Sequence, residues 1–424
     1  MRAMIKLAMS SGAMLVPAVA FAQQVGESTS IVIDPALARS DVAGARIEPQ
    51  FAPKPIMIGP IFAEASVSVT GGYDSNVFNQ PGGDGAAVAL MQPSLSLSSK
   101  FAQHELTLRA DGALRRFSRF QTENSEEFEI QGKGRFELGR DVTLAARADY
   151  AQRIEPRSSV GTRFDAAEPS SYDRLFGELE ARVALGKFRL APSAHYQELK
   201  YNPIRLALGG VAAQDFRDAR SVGGGVRIEY DFSGLVSGFA DGSYSRTESR
   251  SAPALLRRDA RDRSIMMGIR GELTPVIHAE LAIGYQSRRY DANYRDFGGL
   301  TYRADVQWFV TPLVTLQARA GRRFRNGGNR DVAGILVDST EIAAYYDPLR
   351  NLRLSAQATV ERDRYRDVTT KAWRTSFRLQ AQYRIRPTLS VGSYALLLRQ
   401  DVSGAPLVNS FTSLSAGIGL TYTP

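Results

Sequence analysis

The sequence contains no cysteine, which excludes a disulfide framework and any thiolate-bound metal centre. Histidine is nearly as scarce: His104, His195 and His278 are the only three in 424 residues, and they do not stand at metal-ligand spacing. No run of about 18 apolar residues is present to cross a bilayer as a helix, and the mean hydropathy is −0.22. A helical membrane protein is therefore excluded. A β-barrel is not, because only alternate residues of each of its strands need face lipid. Gly223-Gly-Gly225 lies in an alternating, strand-like stretch with no helix to follow, so it reads as a packing or kink device and not as a phosphate loop.

What is present begins with an export pattern. Arg2 and Lys6 form a charged start, Leu7 to Ala20 an apolar stretch, and Ala20-Phe21-Ala22 a small-residue cleavage site. Residues 1–22 are expected to be a signal peptide, and their removal takes the formal charge from +9 to +7. Residues 23–60 carry Pro35, Pro49, Pro53, Pro55 and Pro60 with weak periodicity. They read as a flexible Pro-rich periplasmic segment; a plug in a barrel lumen is the alternative.

From residue 61 to 424 the chain alternates. Leu106, Leu108, Ala110 and Leu114 oppose Thr107, Arg109, Asp111 and Arg115, and Trp373, Thr375, Phe377 and Leu379 oppose Arg374, Ser376 and Arg378. Period-two patterns sustained over about ten residues suit tilted membrane strands, and are long for a soluble sandwich, whose strands run to about 5–6. Apolar and aromatic residues precede tight proline turns at Glu272–Ile277, Phe309–Val314, Tyr346–Leu349 and Tyr383–Thr388. Counting all such short turns (near 100–103, 139–141, 186–187, 233–234, 274–275, 311–312, 348–351 and 386–388) gives eight. With both ends periplasmic, that means about eighteen strands, or sixteen if the irregular first hairpin fails. The fold expected is all-β, a transmembrane antiparallel up-and-down barrel. Tyr285, Tyr302, Trp308, Phe309, Tyr345, Tyr346, Trp373 and Tyr383 collect at strand ends and read as interfacial girdles. No outer connection stands out as markedly longer than the others.

Two short stretches carry resemblance. Ser415–Tyr422 resembles the C-terminal signal that presents outer-membrane barrels to the barrel-assembly machinery, although the chain ends Thr423-Pro424. Tyr73-Asp74-Ser75-Asn76-Val77-Phe78, at the end of the first strand, resembles the opening of the "putative β-barrel porin 2" family of outer-membrane proteins. The resemblance implies a Gram-negative outer-membrane barrel associated with exopolysaccharide production, and no catalytic residues. From the residues alone, Asp74, Ser75 and Asn76 suit a turn at a strand end.

If the apolar faces meet lipid, Arg109, Arg115, Arg135, Arg147, Arg182, Arg227, Arg303, Arg319, Arg353, Arg374 and Arg378 line the lumen. Such charges either select anions, including acidic polysaccharides, or pair with Asp and Glu on the same faces and stiffen the wall. Further arginines, including Arg261, Arg263, Arg322, Arg323, Arg325, Arg362 and Arg364, read as outer-loop residues that could meet lipopolysaccharide phosphates. His104 and His278 read as interfacial and His195 as luminal. No catalytic constellation is visible and no cofactor is expected, and export removes nucleic acid as a partner despite a pI of 9.7. The leading functional expectation is an outer-membrane barrel supporting exopolysaccharide export through an Arg-rich lumen, with periplasmic export components, acidic polysaccharide, outer-membrane lipids and lipopolysaccharide as partners. A general or anion-preferring diffusion porin and a non-conducting anchor or adhesin are the alternatives.

Overall fold

The computed structural model describes residues 42–424 apart from 100, 102, 160, 164, 292, 293, 331, 333, 367, 405 and 406. The expected signal peptide and residues 23–41 lie outside the described residues.

Eighteen long antiparallel strands make the barrel. The first six are β1 (Ile61–Asp74), β2 (Ala86–Ser99), β3 (His104–Phe117), β4 (Ser125–Glu137), β5 (Val142–Ile154) and β6 (Ser171–Leu185). Next come β7 (Phe188–Tyr201), β8 (Ala219–Asp231), β9 (Val236–Ser249), β10 (Ala260–Thr274), β11 (Ile277–Tyr290) and β12 (Phe297–Thr311). The last are β13 (Val314–Asn326), β14 (Gly334–Leu349), β15 (Leu352–Tyr365), β16 (Lys371–Arg386), β17 (Leu389–Ser403) and β18 (Phe411–Tyr422). Each pairs with its sequence neighbour, and β18 returns to β1 with Tyr422 opposite Val67 and Ser415 opposite Asp74. Closure removes every sheet edge, the condition a sheet must meet inside hydrocarbon. The irregular first hairpin pairs fully, from Ile61–Ser99 to Asp74–Ala86, so the count is eighteen and not sixteen.

Seven of the eight short turns fall where the sequence places them, and around the remaining one, near 100–103, β2 ends at Ser99 and β3 begins at His104. Gly186 and Gly234 take positive φ in theirs. The four proline turns share one device: the register slips between Glu272 and Thr274, Phe309 and Thr311, Tyr346 and Leu349, and Arg384 and Arg386. The irregularity precedes the proline in three of them and includes Pro348 in the third along the chain, and it adds twist where the chain reverses. At two of them a threonine hydroxyl accepts the N–H two residues on, Thr274 from Val276 and Thr311 from Leu313.

The outward face is a belt of exposed apolar side chains, among them Leu106, Leu108, Leu175, Leu179, Ile265, Met267, Ile283, Leu379 and Ile418. Nothing but lipid suits so large a continuous apolar surface. Tyr285, Trp308, Tyr346, Trp373 and Tyr383 share this exposed face, as girdle residues should. Phe309 and Tyr345 do not. Both border the lumen, because each alternates with an exposed neighbour, Trp308 and Tyr346 respectively. His278 likewise borders the lumen, only 3% exposed, and is not interfacial. Finally, the strands extend further outward than expected. Arg261, Arg263, Arg322, Arg323, Arg325, Arg362 and Arg364 belong to β10, β13 and β15 rather than to loops.

Candidate functional site: the lumen

The inward faces enclose a cavity of about 1440 Å³. Of the arginines expected there, Arg182, Arg227, Arg303, Arg319, Arg374 and Arg378 border it. Arg109, Arg115, Arg135, Arg147 and Arg353 lie on the same inward parity of β3, β4, β5 and β15 but outside the cavity border. His195 borders the cavity too, packed so closely over Gly223 that a Cβ there would lie 2.6 Å from its ring.

Most of these guanidiniums are already partnered. Arg109 bonds Asp111 at 2.6 Å, Arg135 reaches Glu137 at 3.3 Å, Arg147 lies 2.9 Å from Asp149, and Arg182 2.6 Å from Glu180. Each pair is two residues apart on one strand, where period-two geometry places both side chains on one face. The spacing Arg-x-Asp/Glu (or its reverse) is a sequence signal for pairing that face assignment alone passes over. Pairs also run across strands: Arg227 meets Glu229, Asp241 and Glu280, Arg303 shares Asp241 and Glu280, and Arg319 bridges Asp305 and Glu341. Among the described residues only Arg115 and Arg378 of the eleven make no direct ion pair, Glu127 and Glu341 being the carboxylates whose charge they feel. Local pairing cancels field within the wall, so a count of arginines overstates the positive potential that a solute in the cavity meets.

The outer mouth is crossed by chain. Two connections, 155–170 and 202–218, are much longer than the other seven, contrary to the sequence expectation of similar loops. They are knit together. Arg217, with its side chain 4% exposed, donates from Nη1 and Nη2 to the two carboxylate oxygens of Glu155 at 2.9 and 2.7 Å. It also donates to Gln214 Oε1 at 2.9 Å and lies 3.8 Å over the Tyr201 ring. Burial alone would weaken the charge on Arg217, but Glu155 and then Tyr201 more than reverse that and raise its pKa above the ordinary guanidinium value. A short hairpin of Ile204–Arg205 and Val211–Ala212 lies against 166–168, where Arg205 grips Glu168.

From this knot the 155–170 loop reaches toward the far wall, where the Ser158 carbonyl accepts from Arg374 Nη2 of β16 at 3.4 Å. Arg374 belongs to a buried cluster with Glu361 at 3.0 Å and Asp363 at 3.8 Å, joined by Arg323 and Arg325. Gln400 Oε1 accepts from Arg374 Nε and Nη2, while its Nε2 donates to the Asn409 carbonyl. Near it, Val332, Ile335, Val337, Tyr365, Ala372 and Val408 form an apolar cluster at the loop ends of β14–β16.

The periplasmic mouth is occupied as well. Val42 and Ala43 are buried and, with Gly44 and Ala45, border the cavity. Gly44 N–H donates to Asp347 Oδ2 at 3.3 Å, and Arg353 donates to the Arg46 carbonyl at 2.8 Å while binding Asp347 at 3.1 Å. Gly44 sits so close to Tyr345 that a Cβ would lie 2.7 Å from the ring.

Tyr73–Phe78 lies at neither of these closures. It fastens the barrel seam. Asp74 Oδ1 accepts from Asn76 N–H and from the Ser413 hydroxyl, Ser75 exchanges bonds with Leu414, and Asn76 Nδ2 donates to Gln80 O and Thr412 O. Val77 bonds Asp84, and Phe78 packs edge-on against Phe120 at 4.8 Å. Tyr73 points outward, 53% exposed. The turn chemistry is present, and its partners lie at the other end of the chain.

No curated protein matches the chain. Solved structures with similar chains include the copper transporter OprC (10% identity, 88% of this chain and 81% of that one, TM-score 0.48). The ferric enterobactin receptor PfeA of Pseudomonas aeruginosa (9% identity, 85% and 80%, TM-score 0.46) and the FrpB iron transporter of Neisseria meningitidis (10% identity, 85% and 82%, TM-score 0.45) are others. The model of the family described as "Putative beta-barrel porin 2" matches residues 48–422; with its closed eighteen-stranded barrel, the chain belongs to that family and is a porin-like outer-membrane protein.

Proposed function

We propose that the protein is a gated conduit for surface polysaccharide, kept shut at its periplasmic mouth by residues 42–52. The observation that carries this reading is the position of Gly44 and Arg46 against Asp347 and Arg353. These bonds hold a segment that joins residues 1–41 to the barrel, so pull or displacement from the periplasmic side acts directly on the mouth. The luminal wall supports passage of a hydrated polymer. Paired Arg and carboxylate groups offer many hydrogen-bond donors and acceptors without an apolar grip, and polar pores work by many weak contacts. The link to exopolysaccharide itself comes from the family resemblance, and an acidic polymer is one candidate cargo. Periplasmic export components would be the displacing partner.

The test is planar-bilayer conductance of the mature protein and of a variant lacking residues 42–52, with and without fragments of the host exopolysaccharide. Higher conductance in the deletion, blocked by those fragments and not by neutral sugars of equal size, supports the conduit. Silence in both forms overturns it in favour of an anchor. A second reading, a diffusion porin, is favoured by the inward reach of 155–170 to Arg374. It predicts steady conductance in the intact protein, insensitive to the polymer.

A further inference from the structure

We infer that the outer surface of β8–β15, at the strand ends beside the long loops, is a docking surface for the phosphorylated headgroup of lipopolysaccharide. By strand parity the side chains of the arginines concerned face outward, although Arg263 and Arg322 also border the cavity. Arg261 and Arg263 alternate onto the face of Ile265 and Met267, Arg289 onto that of Ile283 and Tyr285, and Arg246 onto that of Tyr244, all exposed to the outside. They stand just beyond the apolar belt, at the headgroup level of the outer leaflet, because long loops mark the outer side.

Register makes the arrangement costly without a ligand. Arg246 pairs directly with Arg261, and Arg261 with Arg289, a row of three guanidiniums on adjacent strands about 4.8 Å apart. Like charges directly opposite one another destabilise a sheet. A second row runs Arg322–Asp338–Arg362–Trp373 across β13–β16. There the single carboxylate of Asp338 takes Arg322 at 2.5 Å and Arg364 at 2.9 Å, while Arg362 lies 5.2 Å over Trp373.

Among the described residues, the outward-facing carboxylates on these strands and at their ends are fewer than the arginines. Glu248 is shared by Arg220 and Arg246, Asp291 serves Arg261, and Asp338 serves the second row. Arg263, Arg289 and Arg362 have no carboxylate partner among the described residues. Elsewhere on the outer rim one-to-one pairs stand, as in Arg116 with Glu126 and Arg399 with Asp401, with Arg119, bonded to the Gly85 carbonyl, as an exception. The excess is thus concentrated on one side of the barrel. Closely spaced guanidinium forks beside aromatic rings suit phosphates held on a sugar backbone, which they bind bidentately.

The experiment uses the full mature protein folded in detergent. Retention of lipopolysaccharide, of the same glycolipid enzymatically stripped of phosphate, and of phosphatidylglycerol is measured by native mass spectrometry. Arg261→Gln/Arg289→Gln and Arg322→Gln/Arg362→Gln are compared with Arg116→Gln as the balanced-rim control, and unheated electrophoretic mobility confirms that each barrel is folded. At about 1 kcal/mol per surface arginine near anionic lipid, each double variant should lose roughly 30-fold in lipopolysaccharide affinity, with Arg116→Gln unchanged and the dephosphorylated glycolipid retained poorly by the native protein. Equal retention by the double variants and Arg116→Gln overturns the site. Equal retention of the dephosphorylated glycolipid overturns phosphate recognition, and equal retention of phosphatidylglycerol overturns the assignment to lipopolysaccharide.

Discussion

Replacing Arg217 by methionine tests whether the outer closure depends on one buried ion pair. Methionine keeps the length and the packing on Tyr201 and removes the fork. Glu155, only 8% exposed, then keeps Ser159 Oγ as a partner at 2.7 Å but loses both guanidinium bonds. Stranding one member of a buried pair costs about 3–5 kcal/mol. Both loops lie at the edge of water, so the lower end applies, and about 3 kcal/mol shifts the open-to-closed ratio of the 155–170 loop by roughly 150-fold. The reporter is amide exchange at Glu155, whose N–H bonds the Ser170 carbonyl at 2.7 Å. Arg217→Met should speed it by about that factor and lengthen open events in single-channel records. Adding Glu155→Gln removes the stranded charge and should recover most of the protection. Exchange unchanged in Arg217→Met, or a double variant as exposed as the single, refutes the role given to the ion pair.

Three further outcomes are expected. Asn76→Ala removes one bond donated across the seam to Thr412 O and, within the turn, one donated to and one accepted from Gln80, each contributing about 1 kcal/mol net. The urea midpoint of the folded barrel should therefore fall by roughly 2–4 kcal/mol equivalent, and an unchanged midpoint counts against the clasp. Asp347→Ala frees Gly44 and leaves Arg353 without its carboxylate; protease cleavage between residues 42 and 52 should accelerate about tenfold or more, and equal cleavage would show that the segment is held otherwise. The hairpin latch should respond to acid. The bond from Arg205 holds Glu168 below its ordinary pKa, so docking is fully present above the usual carboxylate range and is lost as pH falls through that lowered value. Exchange at Ala207, whose N–H bonds Asp165 O at 2.8 Å, should rise only in that acid window; a rise near neutrality would contradict the assignment.

Much of the barrel was legible because its rules are local. Turn positions follow from Thr-Pro and Gly signals, and the face of Arg374 or Leu379 follows from counting by twos. Errors arose where counting needs an anchor. Phe309 and Tyr345 lie beside exposed aromatics at strand ends, so composition marked them as girdle residues while parity turns them inward. The arginines of 261–263, 322–325 and 362–364 looked like loop charge because strands that continue above the apolar belt lose their apolar alternation. The alternation of side chains persists there; only its hydropathy disappears. The knot of Arg217 with Glu155, and the reach of Ser158 to Arg374, join residues 62 and 216 positions apart. No period in the sequence encodes contacts of that range.

The seam adds a temporal dimension to this architecture. Seventeen of the strand pairings join immediate sequence neighbours, and each can zip onto its predecessor with little loop entropy to overcome. The eighteenth joins the first strand to the last, and the bond from Ser413 to Asp74 spans 339 positions. It can form only after every intervening hairpin has added its width to the growing sheet. The Tyr73–Phe78 turn therefore waits, half satisfied, through the whole course of assembly, and its bonds to β18 report completion. A hairpin lost or added in the middle would leave both halves of the clasp intact in sequence and change the circumference they must close.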